Sequence, residues 1–384
     1  MRKLEIRGGK ILDGGADTPK GFHLYCDSSV GLLLCDAFAT AAYLSAGNSL
    51  SGRSVRIAKN AGGKPTARAV LLSNCSSDVL QKDGRETVTA QVNYASDKLG
   101  VPASEVRPLF VGELIRQSDR SVVLEHIDNC AKALLSGQSS DASKMGVETL
   151  SCAVQFYLGD DYPCIISGTL FTERACRAIK RTLLVTTDVS ISWELLQAAL
   201  ESEYKDTFGL LPIPPSANDG CVALSSGLAG NHTIAFKDVE YAKFSKALQY
   251  VFSELCARLV CGDGEDERLY FQAVGTKSKR TACDVVKNAY SYFMLSGNER
   301  ASLIKGMISC VGDAGILSRR GLRVWLESAA GRILLIDGGK FMYVLESTAA
   351  SVLAGDDAIL TVDFREGNYS ARGWIKKEKR VVFF

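Results

Sequence analysis

The sequence predicts an α+β fold in which mixed or antiparallel sheets are covered by helices. Candidate strands and helices are interleaved without strict strand–helix–strand alternation. From Gly321 onward the pattern is strand-rich. Of the 384 residues, 46% are hydrophobic, enough for one large core or two fused ones.

In chain order, Lys3 to Arg7 alternate and predict an edge strand, and Gly14-Gly15 with Pro19 to Phe22 form a turn-rich entry. Ala67 to Ser73 is a short apolar run with β-branched content, which predicts a buried strand. Glu86 to Leu99 has helical periodicity and is stopped by Gly100 and Pro102; Ser121 to Leu135 is a second helix. Ala153 to Leu158 and Cys164 to Gly168 read as paired strands around Gly159-Asp160-Asp161. Thr182 to Thr187 reads as a strand and Ser192 to Tyr204 as a helix capped by Ser190 or Ser192. Asp238 to Leu259 is the longest helical pattern, ended by Gly262. Leu269 to Val274 and Ala282 to Phe293 repeat strand and helix. Five strands follow: Leu322 to Glu327, Ile333 to Asp337, Met342 to Glu346, Ala358 to Phe364 and Ser370 to Ile375. The polar stretch Thr172 to Arg181 is the candidate boundary, giving halves 1–181 and 182–384.

A formal net charge of +2 gives no reason to expect nucleic acid or an anionic membrane as partner. The basic clusters Arg177, Lys180, Arg181 and Lys376, Lys377, Lys379, Arg380 carry no aromatic platform and read as solvated faces. No charged-then-apolar leader and no membrane-length apolar run is seen, which predicts a soluble, cytoplasmic protein. The 12 cysteines are scattered and read as small buried residues in a reducing compartment. His23, His126 and His232 lie far apart, so neither a metal site nor a Ser-His-Asp triad is expected. Lys64 in Gly62-Gly63-Lys64-Pro65 does not fit a phosphate loop, because proline follows the lysine.

Several stretches share their order with one known family. Gly14 to Phe22 resembles a Gly-Gly…Pro-Lys-Gly-Phe opening, and Leu99-Gly100-Val101-Pro102 leads to Phe110-Val111-Gly112-Glu113-Leu114-Ile115, aligned with Ser-Thr-Gly-Val-Ile-Gly. Thr186-Thr187-Asp188-Val189 is similar to Thr-Thr-Asp-Ala. Asn218-Asp219 with Ser226 to Asn231 resembles Asn-Asp…Asn-Gly-Ala-Gly-Asn, and Asp263-Gly264-Glu265 matches the start of Asp-Gly-Glu-Gly-Ala-Thr-Lys. Gly367 to Trp374 resembles the last well-marked strand. Together they identify the chain as resembling the glutamate N-acetyltransferase (ornithine acetyltransferase) family of arginine biosynthesis.

The resemblance implies an α+β sandwich of the DmpA/ArgJ-like type and acetyl transfer from N-acetylornithine to glutamate through an acyl-threonine. The family's chain cuts itself before that threonine, whose freed α-amine serves as base. Here Arg181 replaces the alanine before the cut, and Thr182 takes the nucleophile's place only with a gap. Counting back from Asp188 without a gap puts Lys180 there. Thr182 is thus either the nucleophile or an ordinary β-branched strand residue. Gly112 is either an oxyanion-hole N–H donor or a turn glycine, and Val111 stands where the family has a threonine hydroxyl. Loss of one such donor costs roughly 2.7–4 kcal/mol of transition-state stabilisation. Glu265 reads as a substrate-amine partner or a solvated acid, and Asn218 as a substrate contact or part of a turn with Asp219. Of the family's Asn-rich loop only Asn74 remains, and its C-terminal Asn…Tyr-Arg-Thr has no counterpart before Phe384. The resemblance implies no cofactor, no metal and a small amino-acid ligand such as N-acetylornithine or glutamate. It also implies a homo-oligomer or pairing with an active paralogue. Three functions compete: a divergent acetyltransferase with reduced or lost activity, an inactive ligand-binding or regulatory relative, and an N-terminal-nucleophile amidase or peptidase.

Overall fold

The computed structural model describes residues 8–45, 51–60, 65–75, 79, 81–112, 118–159, 162–175, 178–213, 216, 219–262, 268–295, 310–311 and 321–376. The expected strand Lys3 to Arg7, Lys64 and the basic cluster from Lys377 to Arg380 lie outside them. The chain divides into two compact units. The larger spans Leu4–Glu203 and Ile213–Val251; the smaller is drawn chiefly from Phe252–Phe384, with Tyr204–Pro212.

The larger unit is organised by one long strand. Strands β1 (Lys10–Leu12) and β2 (Phe22–Cys26) precede β3 (Val30–Ser45), whose register shifts between Leu34 and Ala39. Before the shift β3 pairs with β2 and with β4 (Thr66–Ser73); beyond it, Thr40 to Ser45 pair with β9 (Gly220–Ser225). Such an irregularity bends a strand and lets it serve two parts of a sheet. The full order is β1-β6-β7-β8-β9-β3-β4-β5, with β5 at Val106–Phe110, β6 at Glu148–Leu158, β7 at Tyr162–Ala175 and β8 at Ala178–Thr187. The pairs β4–β5 and β8–β9 are parallel and the others antiparallel, so the sheet is mixed.

Alternation along β4 separates two cores, because successive side chains point to opposite faces. Val70 and Leu72 join Leu33, Leu109, Val111, Phe171, Leu184, Val222 and Leu224 in a core between strands. Ala69 and Leu71 instead pack with Val88, Val92, Ala95, Leu99, Val123 and Ile127. These come from helices α2 (Gly84–Leu99) and α3 (Arg120–Leu135), which follow the short α1 (Arg53–Asn60). Each fully buried Leu, Val or Phe contributes about 1.5–3 kcal/mol. Gly100 ends α2 in the left-handed region at φ 66°. Helix α4 (Trp193–Asp206) docks on β3 through Gln197, whose amide accepts from the Tyr43 N–H and donates to the Tyr43 carbonyl, both at 3.0 Å. Helix α5 (Val239–Cys261) begins where Asp238 accepts from the Tyr241 N–H at 3.0 Å.

The smaller unit has a six-stranded sheet in the order β13-β12-β11-β14-β10-β15. Its strands are β10 (Arg268–Thr276), β11 (Arg323–Ser328), β12 (Gly331–Asp337), β13 (Lys340–Phe341), β14 (Ile359–Asp363) and β15 (Tyr369–Lys376). Helix α6 (Lys279–Leu295) packs on β10 and β15, and α7 (Glu346–Ala354) on β11 and β12.

Two expectations change. The strand expected at Met342 to Glu346 does not form: β13 ends before it at Phe341 and α7 begins at Glu346, because Ser347-Thr348-Ala349-Ala350 continues as a helix with Ala349, Val352 and Leu353 buried. The polar stretch Thr172 to Arg181 does not separate the units: Thr172 pairs with Arg181 and Glu173 with Lys180, inside the larger unit's sheet. Thr172, Lys180 and Arg181 are buried there, so composition misled.

Candidate functional site

Strand β8 carries the residues around the expected cut. Its alternation puts Lys180, Thr182, Leu184 and Thr186 on one face and Arg181, Leu183, Val185 and Thr187 on the other. Leu184 belongs to the core between strands, so Lys180 and Thr182 share the inward face. Thr182 lies between Phe171 on β7 and Gly220 on β9 and is 0% exposed. Its hydroxyl has no hydrogen-bond partner among the described residues. The glycine beside it is required by close approach, since a Cβ on Gly220 would stand 2.9 Å from the Tyr43 hydroxyl oxygen.

Lys180, not Thr182, reaches Gly112. The Lys180 side chain is 4% exposed and its ammonium donates to the Gly112 carbonyl oxygen. Gly112 follows β5, so a curled sheet brings β8 back to it. The ungapped count that sets Lys180 at the nucleophile position therefore coincides with a contact to the glycine expected at the oxyanion hole. Gly112 also presses on Asn74: a Cβ would come within 2.2 Å of Asn74 Oδ1. Asn74 is fixed in turn, donating from Nδ2 to the Met145 carbonyl at 2.6 Å and from its backbone N–H to Ser29 at 2.8 Å. Val111 is buried in the core and its N–H donates to Ser73 at 2.9 Å.

On the opposite face Arg181 forms a buried ion pair with Asp219 at 3.2 Å, with the Arg181 side chain only 3% exposed. Asp219 also accepts the backbone N–H of Arg181 at 2.8 Å, and the guanidinium donates to the Ile213 carbonyl at 3.3 Å. Burial pushes the Asp219 carboxyl above its ordinary value, and the guanidinium opposes that shift. The solvated face expected for Lys180 and Arg181 is thus corrected: both are buried, because each cation finds an oxygen inside the fold.

Three further shared motifs, the opening, the Thr-Thr-Asp run and the Ser226 to Asn231 loop, meet around Asp188. Its carboxylate accepts the N–H of Ile165 at 2.7 Å and of Lys20 at 3.4 Å, and its carbonyl accepts from Ala229 at 2.7 Å. Burial holds this carboxyl above its usual range. Thr186 donates to the Ala16 carbonyl and Ser226 to the Lys20 carbonyl, at 2.8 and 2.7 Å. Gly21, at φ 82°, leaves room for Leu228, whose Cδ1 would lie 2.3 Å from a Cβ there. Asn231 clasps Ser190, accepting its N–H at 2.8 Å and donating to its carbonyl at 3.1 Å. The opening, the Thr-Thr-Asp run and the Ser226 to Asn231 loop are therefore one clamp at the end of β8.

Glu265 and Asn218 lie outside the described residues. The histidines are apart, each with its own neighbour: His23 with Asp36, His126 with Asp27, His232 with Tyr162. Among the described residues no three His, Cys, Asp or Glu side chains group as a metal site, no disulfide is formed, and no helix is long and apolar enough to cross a membrane. Sequence reasoning missed the Arg181–Asp219 pair, although an arginine in a strand-forming run was a signal that an acid had to meet it.

A family model described as the ArgJ family matches residues 20–376. The arginine biosynthesis bifunctional protein ArgJ of Caldanaerobacter subterraneus subsp. tengcongensis is 23% identical over 387 residues, covering 95% of this chain and 96% of that protein. The glutamate N-acetyltransferase of Methanococcus vannielii is 25% identical over 292 residues, covering 71% of this chain and 70% of that protein. The crystal structure of the arginine biosynthesis bifunctional protein argJ from Bacillus halodurans shares 22% identity, covering 50% of this chain and 92% of that chain with a TM-score of 0.41. The family match takes in Gly112, all of β8 and Asp188, and on that extent the chain belongs to the ArgJ family.

Proposed function

We propose that this ArgJ-family chain has lost acetyl transfer through threonine and acts, uncut, as an amino-acid-binding or regulatory relative of the arginine-biosynthesis acetyltransferases. The observation that carries the reading is the Lys180 ammonium on the Gly112 carbonyl oxygen. A cation fills the place the ungapped count gives to the nucleophile, and Gly112 turns an acceptor toward it. An oxyanion needs aimed donors, and Lys180 holds a carbonyl there instead.

Thr182 offers no substitute chemistry. Its nitrogen lies inside a strand paired on both sides, and it would serve as a base only if the Arg181–Thr182 bond were cut. Its hydroxyl is fully buried beside core residues and has no hydrogen-bond partner among the described residues. Arg181, just before the expected cut, is pinned by Asp219 through both backbone and side chain. A threonine needs a base within about 2.6–3.2 Å to become a nucleophile.

The test is acetyl transfer from N-acetylornithine to glutamate by the purified chain, read against a Thr182→Ala variant. The proposal expects neither protein to exceed the uncatalysed background. Turnover by the wild-type chain that Thr182→Ala abolishes would sink it. Binding of ornithine or glutamate to the same preparation, followed by calorimetry, then separates an amino-acid-binding role from a purely regulatory one.

A further inference from the structure

The helix layer of the larger unit carries an open groove. Helices α2 and α3 share a buried side through Val88, Val92 and Ala95 with Val123 and Ile127. Their outer sides frame a groove of about 490 Å³, within the size range of small-molecule sites. Ala90 lies one turn from both Glu86 and Tyr94 and is too small to fill the space between them. Leu124 faces it from α3, and these two half-buried side chains give the groove an apolar floor.

Four exposed charges line this floor, and the fold does not use them: none of Arg85, Glu86, Asp97 and Arg120 is in an ion pair among the described residues. Their neighbours are all paired. Asp128 takes Lys98 and Lys132, each at 2.5 Å, and Lys98 lies 5.1 Å from the centre of the Tyr94 ring. The contrast has a geometric cause. Arg85 and Glu86 are adjacent on α2 and diverge around its axis. Arg85 and Asp97 lie about 18 Å apart along that axis, too far to meet. Asp128 meets Lys98, and Arg120 precedes Asp128 by two turns of α3, so Arg120 stands toward the Arg85 end. One end of the groove therefore holds two guanidinium groups and a carboxylate, and the other end holds Asp97.

That arrangement specifies the occupant. It needs a carboxylate and an ammonium together at one end, a second cation at the other, and an apolar chain between them. We infer that the groove binds an α-amino acid with a cationic side chain. The ligand carboxylate meets Arg85 and Arg120, its α-ammonium meets Glu86, and its terminal cation meets Asp97. Its methylenes cover Ala90 and Leu124. A ligand of a single charge sign leaves two of the four groups unserved, and an amino acid with an apolar side chain leaves Asp97 unserved. The groove uses neither β8 nor Gly112, so this inference is independent of the reading of acetyl transfer.

Calorimetric titration of the full chain with L-lysine, L-norleucine and cadaverine tests it. L-Lysine should saturate one site. Norleucine lacks the terminal cation and cadaverine the carboxylate, and each should bind about tenfold more weakly. Asp97→Asn should weaken lysine by a similar factor and leave norleucine unchanged. Arg120→Gln should weaken both amino acids and not cadaverine. Both side chains are exposed on helices, so neither substitution threatens the fold. Thr182→Ala should change none of the three affinities. Absence of saturable lysine binding, or equal affinity for lysine and norleucine, would overturn the inference. So would lysine binding that is indifferent to Asp97→Asn and Arg120→Gln, or that Thr182→Ala removes, since the ligand would then be held elsewhere.

Discussion

Lys180 on β8 holds its ammonium on the carbonyl oxygen of Gly112, a residue that follows a strand four places away in the sheet order. This contact joins the residue that the ungapped count sets at the nucleophile position to the glycine that the resemblance sets at the oxyanion hole. Lys180 is thereby a fixed, buried part of the larger unit.

Lys180→Met should lower stability by about 1–3 kcal/mol, because the Gly112 carbonyl is left buried without that donor. Urea unfolding measures it. A variant as stable as the wild type would mean that the contact contributes nothing net.

Removing one member of the Arg181–Asp219 pair should cost about 3–5 kcal/mol, since the other charge is stranded inside the fold. Asp219→Asn is the informative change, because it keeps an oxygen for the Arg181 N–H while deleting the charge. Equilibrium denaturation should show the loss, and Arg181→Met placed on top of Asp219→Asn should recover part of it.

Two carboxyls, Asp188 and Asp27, carry opposite pH signatures. Burial raises Asp188 above its ordinary 3.8, so its folded form binds a proton more readily than the unfolded chain. Its contribution is fully present below the unfolded value and is lost as pH rises through the raised folded one. Asp27 runs the other way. Burial pulls it upward, but N–H bonds from Val30 and Ser29 and the His126 contact outweigh that and leave it lowered. Its contribution is present above the unfolded value and fades as pH falls through the lowered one. Urea unfolding at a series of pH values should therefore show the stability of wild type relative to Asp188→Asn falling with rising pH, and relative to Asp27→Asn rising. Matching slopes would contradict the assignment.

Val111→Thr restores the hydroxyl that the resemblance asks for, yet it should not restore acetyl transfer, because Lys180 still lies on Gly112. It should also cost about 1–3 kcal/mol if the hydroxyl finds no partner in the core. Transfer activity appearing in Val111→Thr would show that a single lost donor, not the lysine, silences the site.

Much of the fold was legible because its elements obey simple periods. Glu86 to Leu99 and Asp238 to Leu259 announced themselves through helical spacing and closing glycines, and both are helices within two residues at each end. Strand β3 was not legible. Both of its faces are apolar near Leu32 and Leu33, so alternation is absent, and its bend depends on partners far away in sequence. The site was half legible. The order of motifs led to Gly112, Lys180 and Thr182, and the ungapped count already contained the Lys180 alternative. That Lys180 meets Gly112 follows from sheet curl, which no local pattern records. The Thr-Thr-Asp run and the Ser226 to Asn231 loop stood out in the sequence, but only the packing shows that they clamp the entry segment at Lys20.

The most direct measurement is the intact mass of the purified chain under denaturing conditions. The account predicts one species at 41.3 kDa, with the Arg181–Thr182 bond whole. Two fragments, the second beginning at Thr182, would contradict it: the threonine would then possess a free amine, and nucleophilic transfer would return as the leading function.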